Sequence, residues 1–261
     1  MRRTEIFADP SEFPAPFRPL LENTRVFDSS CSPEARVFYI EQRDGLFLKR
    51  SAEGTLKKEA RLTRYFHGKG LGAHVVSYHT ESGFDWLLTT RVEGEDCTHA
   101  DHLADPVRLC DLIGTKLRAL HELDGTDCPI THTENYIKTV EQNHLAGMFD
   151  PCFLPPHLGG LTAEDAYTFF EKNKHRLATN TLLHGDYCLP NIMLKDFELS
   201  GFIDLGNGGL GDRHVDLFWG AWTLGFNLGT DAYRERFFDA YGRDKIDPSL
   251  IDLVAVAECF G

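Results

Sequence analysis

Two stretches in the second half of the chain decide the fold: His184-Gly185-Asp186-Tyr187-Cys188-Leu189-Pro190-Asn191, and, ten residues further on, Gly201-Phe202-Ile203-Asp204-Leu205-Gly206. Each stretch contains an aspartate, and the first also ends in an asparagine. Carboxylate and amide oxygens are the donor types that Mg²⁺ takes in proteins. The two stretches therefore point to a site that handles a divalent cation.

The spacing within these stretches matches the catalytic elements of protein kinases. His184, Asp186 and Asn191 have the spacing of the H-R-D-x-x-x-x-N loop, and Asp204-Leu205-Gly206 stands where D-F-G holds the metal. Phosphoryl transfer needs an acidic group near the acceptor hydroxyl and oxygen ligands for the Mg²⁺ that bridges the phosphates. We therefore predict a small-molecule kinase with Asp186 as catalytic base and Asn191 and Asp204 as magnesium ligands.

The first third of the chain has the pattern of a small antiparallel sheet with one helix. Residues 36–40 and 46–49 are β-prone runs around the turn Arg43-Asp44-Gly45, which predicts a hairpin. Residues 55–66 have apolar side chains at helical spacing, and strands return at residues 74–79 and 84–90. The order β-β-α-β-β predicts an N-terminal nucleotide-binding lobe over residues 1–92.

The remainder of the chain, residues 93–261, has the pattern of a mostly helical lobe. Long amphipathic stretches occupy residues 107–123, 163–174, 212–228 and 231–241, whereas residues 181–203 have the texture of loop and hairpin. The fold class is thus α+β, a two-lobed protein-kinase-like fold with a C-terminal catalytic and acceptor-binding lobe.

The composition and charge of the chain limit the classes of binding partner that we expect. The 261 residues carry 42% hydrophobic and 26% charged side chains, an ordinary balance for a globular protein, with no signal-like or spanning apolar run. A net charge of −13 argues against nucleic acid and anionic membranes, and it suits a cationic substrate or simple solubility equally well. The seven scattered cysteines form no C-x-x-C pair. We expect a cytoplasmic protein, monomeric or dimeric.

The stretch from His184 to Gly206, followed by Asp212-Arg213 and Asp216, closely resembles the aminoglycoside 3'-phosphotransferases, antibiotic-resistance kinases with the protein-kinase fold. Their pattern is H-G-D-x-x-x-x-N followed by G-F-I-D-x-G. The resemblance implies a polyhydroxylated, cationic acceptor and Mg²⁺ with ATP or GTP as phosphoryl donor. It assigns the base role to Asp186, the metal to Asn191 and Asp204, and support of the loop to His184.

In the N-terminal lobe, Lys49 at a strand end and Glu59 in the next helix match the phosphate-binding lysine and its ion-pair partner in kinases. The resemblance makes Ser32 a phosphate contact, and an ordinary polar turn is the alternative. Phe47, on the same strand face as Lys49, corresponds to an aromatic residue that stacks on adenine, or it is a plain core residue. Main-chain groups from Thr90 to Val92 are expected at the base edge.

The acidic residues that hold polycationic acceptors in this family are fewer here. Residues 152–156 are apolar, and Gly225-Phe226-Asn227 replaces an acidic pair, whereas Glu258 remains as a candidate acceptor contact. A kinase of the same fold for another hydroxylated metabolite is therefore the main alternative. A nucleotide-binding pseudokinase is a weaker one, because Lys49, Asp186 and both metal candidates are all present.

Overall fold

The structure is a computed structural model and describes residues 3–261. In chain order, strands β1 to β11 cover Thr4–Ile6, Val26–Asp28, Ala35–Ile40, Leu46–Ala52, Val75–Glu81, Phe84–Thr90, Glu95–Asp96, Thr181–Leu183, Ile192–Lys195, Glu198–Phe202 and Gly209–Gly211. Helices α1 to α9 cover Arg18–Leu21, Lys57–Gly68, Ala100–Leu103, Pro106–His121, Thr133–Leu145, Ala163–Asn173, His214–Leu228, Arg234–Tyr241 and Pro248–Glu258.

The chain divides into two compact units. The first contains the described residues up to His99 together with Pro190–Gly206, and the second contains Ala100–Leu189 and Asn207–Gly261. The chain therefore returns to the first unit for one short segment. The sequence-based division into residues 1–92 and 93–261 places that segment with the helical lobe, and as a division into functional domains it stays a prediction.

A six-stranded antiparallel sheet forms the body of the first unit, in the order β1-β2-β3-β4-β6-β5. The expected hairpin pairs β3 with β4, and its turn uses left-handed backbone at Arg43 and Gly45, with φ values of 56° and 96°. Successive side chains of β4 point to opposite faces of the sheet. Leu48 therefore packs into the core on one face, and Lys49 lies on the other. On the Lys49 face, helix α2 packs through Ala60, and Leu56, which directly precedes the helix, packs beside it.

The returning segment of the first unit is itself a hairpin. Strands β9 and β10 pair antiparallel, with Ile192 opposite Phe202, and β7 adds along β9. The backbone N–H of Phe202 donates to the carbonyl of Leu71 at 2.8 Å, which ties the hairpin to the segment after α2. The end of this hairpin that carries residues 191 and 203 is thereby fixed within the first unit.

The second unit is mostly helical, as expected from its amphipathic stretches. Its core is built from α5, α6, α7 and α9 around residues such as Phe170 and Val254, both fully buried. The carboxylate of Asp105 caps α4, and Thr162 and Asp165 form a capping box at α6. Helix α7 ends at Leu228, and Gly229 caps it in left-handed conformation.

Two stretches that we predicted as continuous helices are shorter in the structure. Helix α7 begins at His214 rather than at residue 212, because the Asp212 carboxylate accepts the backbone N–H groups of Ala178 and His214. The stretch at residues 231–241 opens with a 3₁₀ turn, and α8 follows. Over the described part of the chain, no helix combines the length and apolar character needed to cross a membrane.

Candidate active site

Lys49 lies at the centre of the polar cluster in the first unit. Its Nζ donates to Oε2 of Glu59 and to Oδ1 of Asp204, each at 2.8 Å. Strand β4 presents the lysine, helix α2 presents Glu59, and Asp204 follows β10. The structure thus brings together three of the predicted residues, two of which are 155 positions apart in sequence.

Burial disfavours the charged form of Lys49, whereas its two carboxylate partners favour it. Desolvation alone lowers the pKa of a buried ammonium, but the charges of Glu59 and Asp204 outweigh it and raise the pKa of Lys49 above its ordinary value. Burial raises the pKa of the Glu59 carboxyl, and the Lys49 ammonium opposes that rise. Lys49 is therefore a permanent cation at physiological pH.

Asn191 and Asp204 lie at the same end of the β9–β10 hairpin. Asn191 directly precedes β9, Asp204 follows β10 after one residue, and the N–H of Ile203 donates to the carbonyl of Asn191 at 3.0 Å. Asp204 adopts left-handed backbone with φ 56°, which is uncommon for a residue with a side chain. This local turn sets the direction in which its half-exposed carboxylate leaves the hairpin.

The donor chemistry of this pair fits a magnesium ion. The amide oxygen of Asn191 and the carboxylate of Asp204 are hard oxygen donors, and Mg²⁺ in phosphate chemistry is held by only one or two protein ligands, with phosphates and water completing the shell. Residues 3–261 contain no group of three or more His, Cys, Asp or Glu side chains arranged to hold a metal. The donor set therefore suits a cation shared with phosphates.

Ser32 and Phe47 occupy less constrained positions in the first unit. Ser32 is exposed in the loop between β2 and β3, where its hydroxyl hydrogen bonds with Glu34 and thereby lowers the pKa of that carboxyl. The ring of Phe47 is half-buried, 5.1 Å from the ring of Tyr39, with the guanidinium of Arg3 5.4 Å from its centre. Part of the Phe47 side chain therefore remains accessible to solvent.

The main-chain groups of residues 90–92 are predicted to lie at the base edge. The N–H of Thr90 donates to the carbonyl of His74 at 2.9 Å, and the N–H of Arg91 donates to the carbonyl of Gly45 at 3.1 Å. For the N–H of Val92, the described residues supply no acceptor. Of the predicted base-edge donors, Val92 is thus the one whose N–H has no acceptor among the described residues.

Asp186 lies in the second unit, on the loop that follows β8. The neighbouring Gly185 has φ 84°, and a Cβ atom there would lie 2.2 Å from the carbonyl oxygen of Asn207. Only glycine permits this approach. The backbone N–H of Asp186 donates to Nδ1 of His184 at 3.3 Å, which agrees with the supporting role expected for that histidine.

A buried carboxylate holds this loop in place. The oxygens of Asp216, on α7, accept the backbone N–H groups of His184 at 2.8 Å and of Gly185 at 2.7 Å. Burial alone raises the pKa of Asp216, but hydrogen bonds and charges, above all from His121, lower it below the ordinary value. The loop that carries Asp186 is therefore anchored to an ionised side chain, a contact that the motif alone did not predict.

Glu258, the predicted acceptor contact, is almost completely buried near the end of α9. The hydroxyl of Tyr136 donates to its Oε1 at 2.7 Å. Burial raises the pKa of Glu258 to about 7, hydrogen bonds from Tyr136 and Trp219 oppose the rise, and the nearby charge of Asp186 adds to it. Glu258 and Asp186 therefore share one electrostatic neighbourhood in the second unit.

Aromatic residues gather beside this neighbourhood; the sequence analysis named residues 152–156 and Phe226 only as replacements for acidic residues and did not single out Trp219 or Trp222. The ring of Trp219 lies 5.5 Å from those of Phe153 and Trp222, and Trp222 stacks on Phe226 at 5.1 Å. The recurrence of aromatic residues at positions 219, 222 and 226 fits one stripe of a helix, and this was the available signal.

Comparisons with known proteins identify the family of the chain. The sequence model described as the phosphotransferase enzyme family matches residues 32–252. The probable aminoglycoside 3'-phosphotransferase of Lactococcus lactis subsp. lactis is 47% identical over 96% of this chain and 95% of its own length. The aminoglycoside 3'-phosphotransferase of Niallia circulans is 30% identical over 74% of each chain.

Solved structures show the same fold. The crystal structure of an aminoglycoside-3'-phosphotransferase of type VIII superposes with a TM-score of 0.77 at 21% identity and covers 96% of both chains. An aminoglycoside phosphotransferase from Streptomyces rimosus superposes with a TM-score of 0.73 at 22% identity over 88% of this chain and 91% of its own. The protein-kinase-like α+β fold expected from the sequence is confirmed.

Proposed function

Because this chain belongs to the phosphotransferase enzyme family, we propose that it transfers the γ-phosphoryl group of ATP or GTP to the 3'-hydroxyl of an aminoglycoside. The observation that carries the proposal is the contact of Lys49 with both Glu59 and Asp204. It joins a permanent cation, which can contact phosphate oxygens, to a candidate metal ligand. Structural relatives solved with ADP or AMP-PNP support a nucleotide donor.

Each predicted residue has a role in the proposed reaction. Lys49 binds the nucleotide phosphates, and Glu59 orients its ammonium. Asn191 and Asp204 would hold Mg²⁺, which when bound neutralises the charge that develops on the phosphates. Ser32 adds a phosphate contact, Phe47 stacks on the base, and the carbonyl of Thr90 and the N–H of Val92 meet its edge.

On the acceptor side, Asp186 accepts the proton of the attacking hydroxyl and orients that oxygen for in-line attack. The anchoring of its loop by Asp216 limits the freedom of the Asp186 backbone. Glu258 would contact an acceptor ammonium, whose positive charge favours the ionised form of this carboxyl. We place the protein in the cytoplasm, as a monomer or dimer, with no nucleic acid or membrane partner.

A second candidate is a kinase of the same fold for a less cationic hydroxylated metabolite. The apolar residues 152–156 and the exposed Phe226 favour it, because they leave fewer carboxylates for a polycation. A pseudokinase is disfavoured because the predicted lysine, base and metal ligands are all in the chain.

The test is an assay of nucleoside-diphosphate release with ATP and with GTP. Acceptors are aminoglycosides with and without a 3'-hydroxyl, choline, simple sugars and a macrolide, and the Asp186→Ala variant serves as blank. We expect release only with aminoglycosides that carry the 3'-hydroxyl. Release with another acceptor and none with aminoglycosides would overturn the proposal in favour of the metabolite kinase.

A further inference from the structure

A cavity of about 270 Å³ lies in the second unit, between residues 152–156 and helices α7 and α9. We propose that this cavity binds an apolar ring or alkyl group carried by an amine-bearing acceptor, and that Trp222 and Phe226 select such acceptors. The proposal rests on the proposed kinase function and adds to it the class of acceptor. The volume is just below the ~300–1,000 Å³ of sites for whole drug-sized ligands, so it suits one substituent.

The walls of the cavity are aromatic and aliphatic. Trp222 and Phe226 stack nearly parallel, with 11° between their planes, and Phe226 is 71% exposed. Phe153, Pro155 and Pro156 line the cavity from the loop, and the buried Ile251 and Ala255 line it from α9. A preformed apolar lining with an exposed aromatic face favours a flat apolar group.

The charges at the cavity favour an amine on that group. Two carboxylates, Asp231 and Asp252, and one guanidinium, Arg234, line it. Asp252 is 3.0 Å from Nε2 of His157, and the guanidinium of Arg234 lies over the ring of Phe238 at 5.4 Å. The described Lys and Arg side chains leave Asp231 without an ion pair. An ammonium can therefore pair with Asp231 and also meet the aromatic faces.

Gly225 brings the Asp231 carboxylate to the cavity. A Cβ atom at position 225 would lie 2.7 Å from Oδ1 of Asp231, so a larger residue would push this carboxylate away. The glycine is thus part of the arrangement that places a negative charge beside the aromatic stack.

Side chains of the second unit link the wall of the cavity to Glu258, whose carboxyl is influenced by the charge of Asp186. Trp219 touches both Phe153 and Trp222 of the cavity and hydrogen bonds with Glu258, which lies within the electrostatic influence of Asp186. In the proposed binding mode, an acceptor whose hydroxyl is at Asp186 extends a substituent past Trp219 into the cavity.

The experiment compares a 3'-hydroxyl aminoglycoside with derivatives benzylated at one amine each, using wild type, Phe226→Ala and Leu145→Ala. Leu145 is the matched control, because it is 84% exposed in the same unit and does not line the cavity. We expect at least one benzyl derivative to have a KM about fivefold below that of the parent in wild type and in Leu145→Ala, a difference that Phe226→Ala abolishes.

A tryptophan-fluorescence titration with the benzyl derivatives, without nucleotide, separates failure of the subsite from failure of the kinase function. Saturable binding that Phe226→Ala weakens supports the subsite even if no acceptor is phosphorylated, a result that would overturn only the 3'-kinase function. If wild type and Phe226→Ala bind every derivative equally, or if no derivative binds more tightly than the parent, the subsite is wrong. Far-UV circular dichroism verifies that each variant is folded.

Discussion

His121 and Asp216 form a completely buried pair, with Nε2 of His121 3.0 Å from Oδ2 of the carboxylate. The hydroxyl of Tyr241 lies 2.9 Å from Nδ1, and Arg213 donates to the same hydroxyl at 3.0 Å. Because a carboxylate only accepts, Nε2 carries the proton in the neutral ring and Nδ1 accepts from Tyr241. The same carboxylate holds the loop of Asp186, so loop and histidine share one anchor.

This pair makes stability depend on pH. Burial lowers the pKa of His121 below 6.5, and Asp216 only partly opposes it. As pH falls below about 6.5, the unfolded chain takes up a proton that the folded protein does not, so the free energy of unfolding decreases by up to about 1.4 kcal/mol per pH unit. The pKa of Asp216 is depressed, so its stabilisation is lost only below its ordinary 3.8.

We predict that His121→Gln reduces this decrease when urea unfolding is measured between pH 7 and pH 5. The control variant His175→Gln, at an exposed position, should have the same pH slope as wild type. Identical slopes for the two variants would show that His121 does not carry the linkage.

Glu258 makes the free energy of unfolding depend on pH in the opposite direction. Its pKa is raised from 4.5 to about 7, so the folded protein loses stability as pH rises through that window. We predict that Glu258→Gln unfolds with a free energy about 3 kcal/mol above that of wild type at pH 8, and equal to it near pH 4.5. Chemical denaturation at both pH values measures this. Glu134→Gln, at an exposed site, should be neutral.

Gly185 offers a steric test of the loop. We predict that Gly185→Ala is destabilised by about 2 kcal/mol or more and loses turnover, because its Cβ meets the Asn207 carbonyl at 2.2 Å and φ is 84°. Gly160→Ala is the matched control, since nothing lies within 4 Å of its Cβ. Comparable melting temperatures for both variants would contradict the close approach.

Asp186→Ala tests the base. We predict a decrease in turnover of at least about 10²-fold, with nucleotide affinity nearly unchanged, because the side chain acts on the acceptor hydroxyl. Steady-state kinetics and nucleotide titration give the two quantities, and exposed Asp44→Ala should match wild type. Retained turnover would remove Asp186 from the mechanism.

The Asp204→Ala variant tests whether Asp204 is a magnesium ligand. We predict that nucleotide binding to this variant responds weakly to Mg²⁺, because the carboxylate at the hairpin end is gone. Nucleotide titrations across a range of Mg²⁺ concentrations measure the response, with exposed Glu53→Ala as control. An unaltered dependence on Mg²⁺ would exclude Asp204 as a ligand.

The sequence predicted the elements whose signal is local. The β3–β4 hairpin, helix α2 and the β9–β10 segment each have a turn or a period within about ten residues, and the Lys49–Glu59 contact follows from matching the kinase motif. Strand β1 is only three residues long, and it is stabilised by pairing with β2, some twenty residues away. No periodicity can be detected in so short a run.

The site features that the sequence did not predict depend on distant contacts. His121 meets Asp216 across 95 positions, and no spacing rule connects them. The resemblance made Glu258 a candidate acceptor contact, but its burial against Tyr136 could not be predicted from the sequence. The cavity requires a loop, α7 and α9 to assemble first. Motifs identify reacting groups, but their surroundings come from tertiary packing.

The return of Pro190–Gly206 to the first unit has a practical consequence for protein engineering. A fragment that ends at His99 lacks the hairpin with both candidate metal ligands, and a fragment that begins at Ala100 contains this hairpin without the sheet to which it belongs. No single cleavage of the chain separates the two units intact. Split-protein reporters and domain exchanges between relatives must therefore transfer two separate segments together.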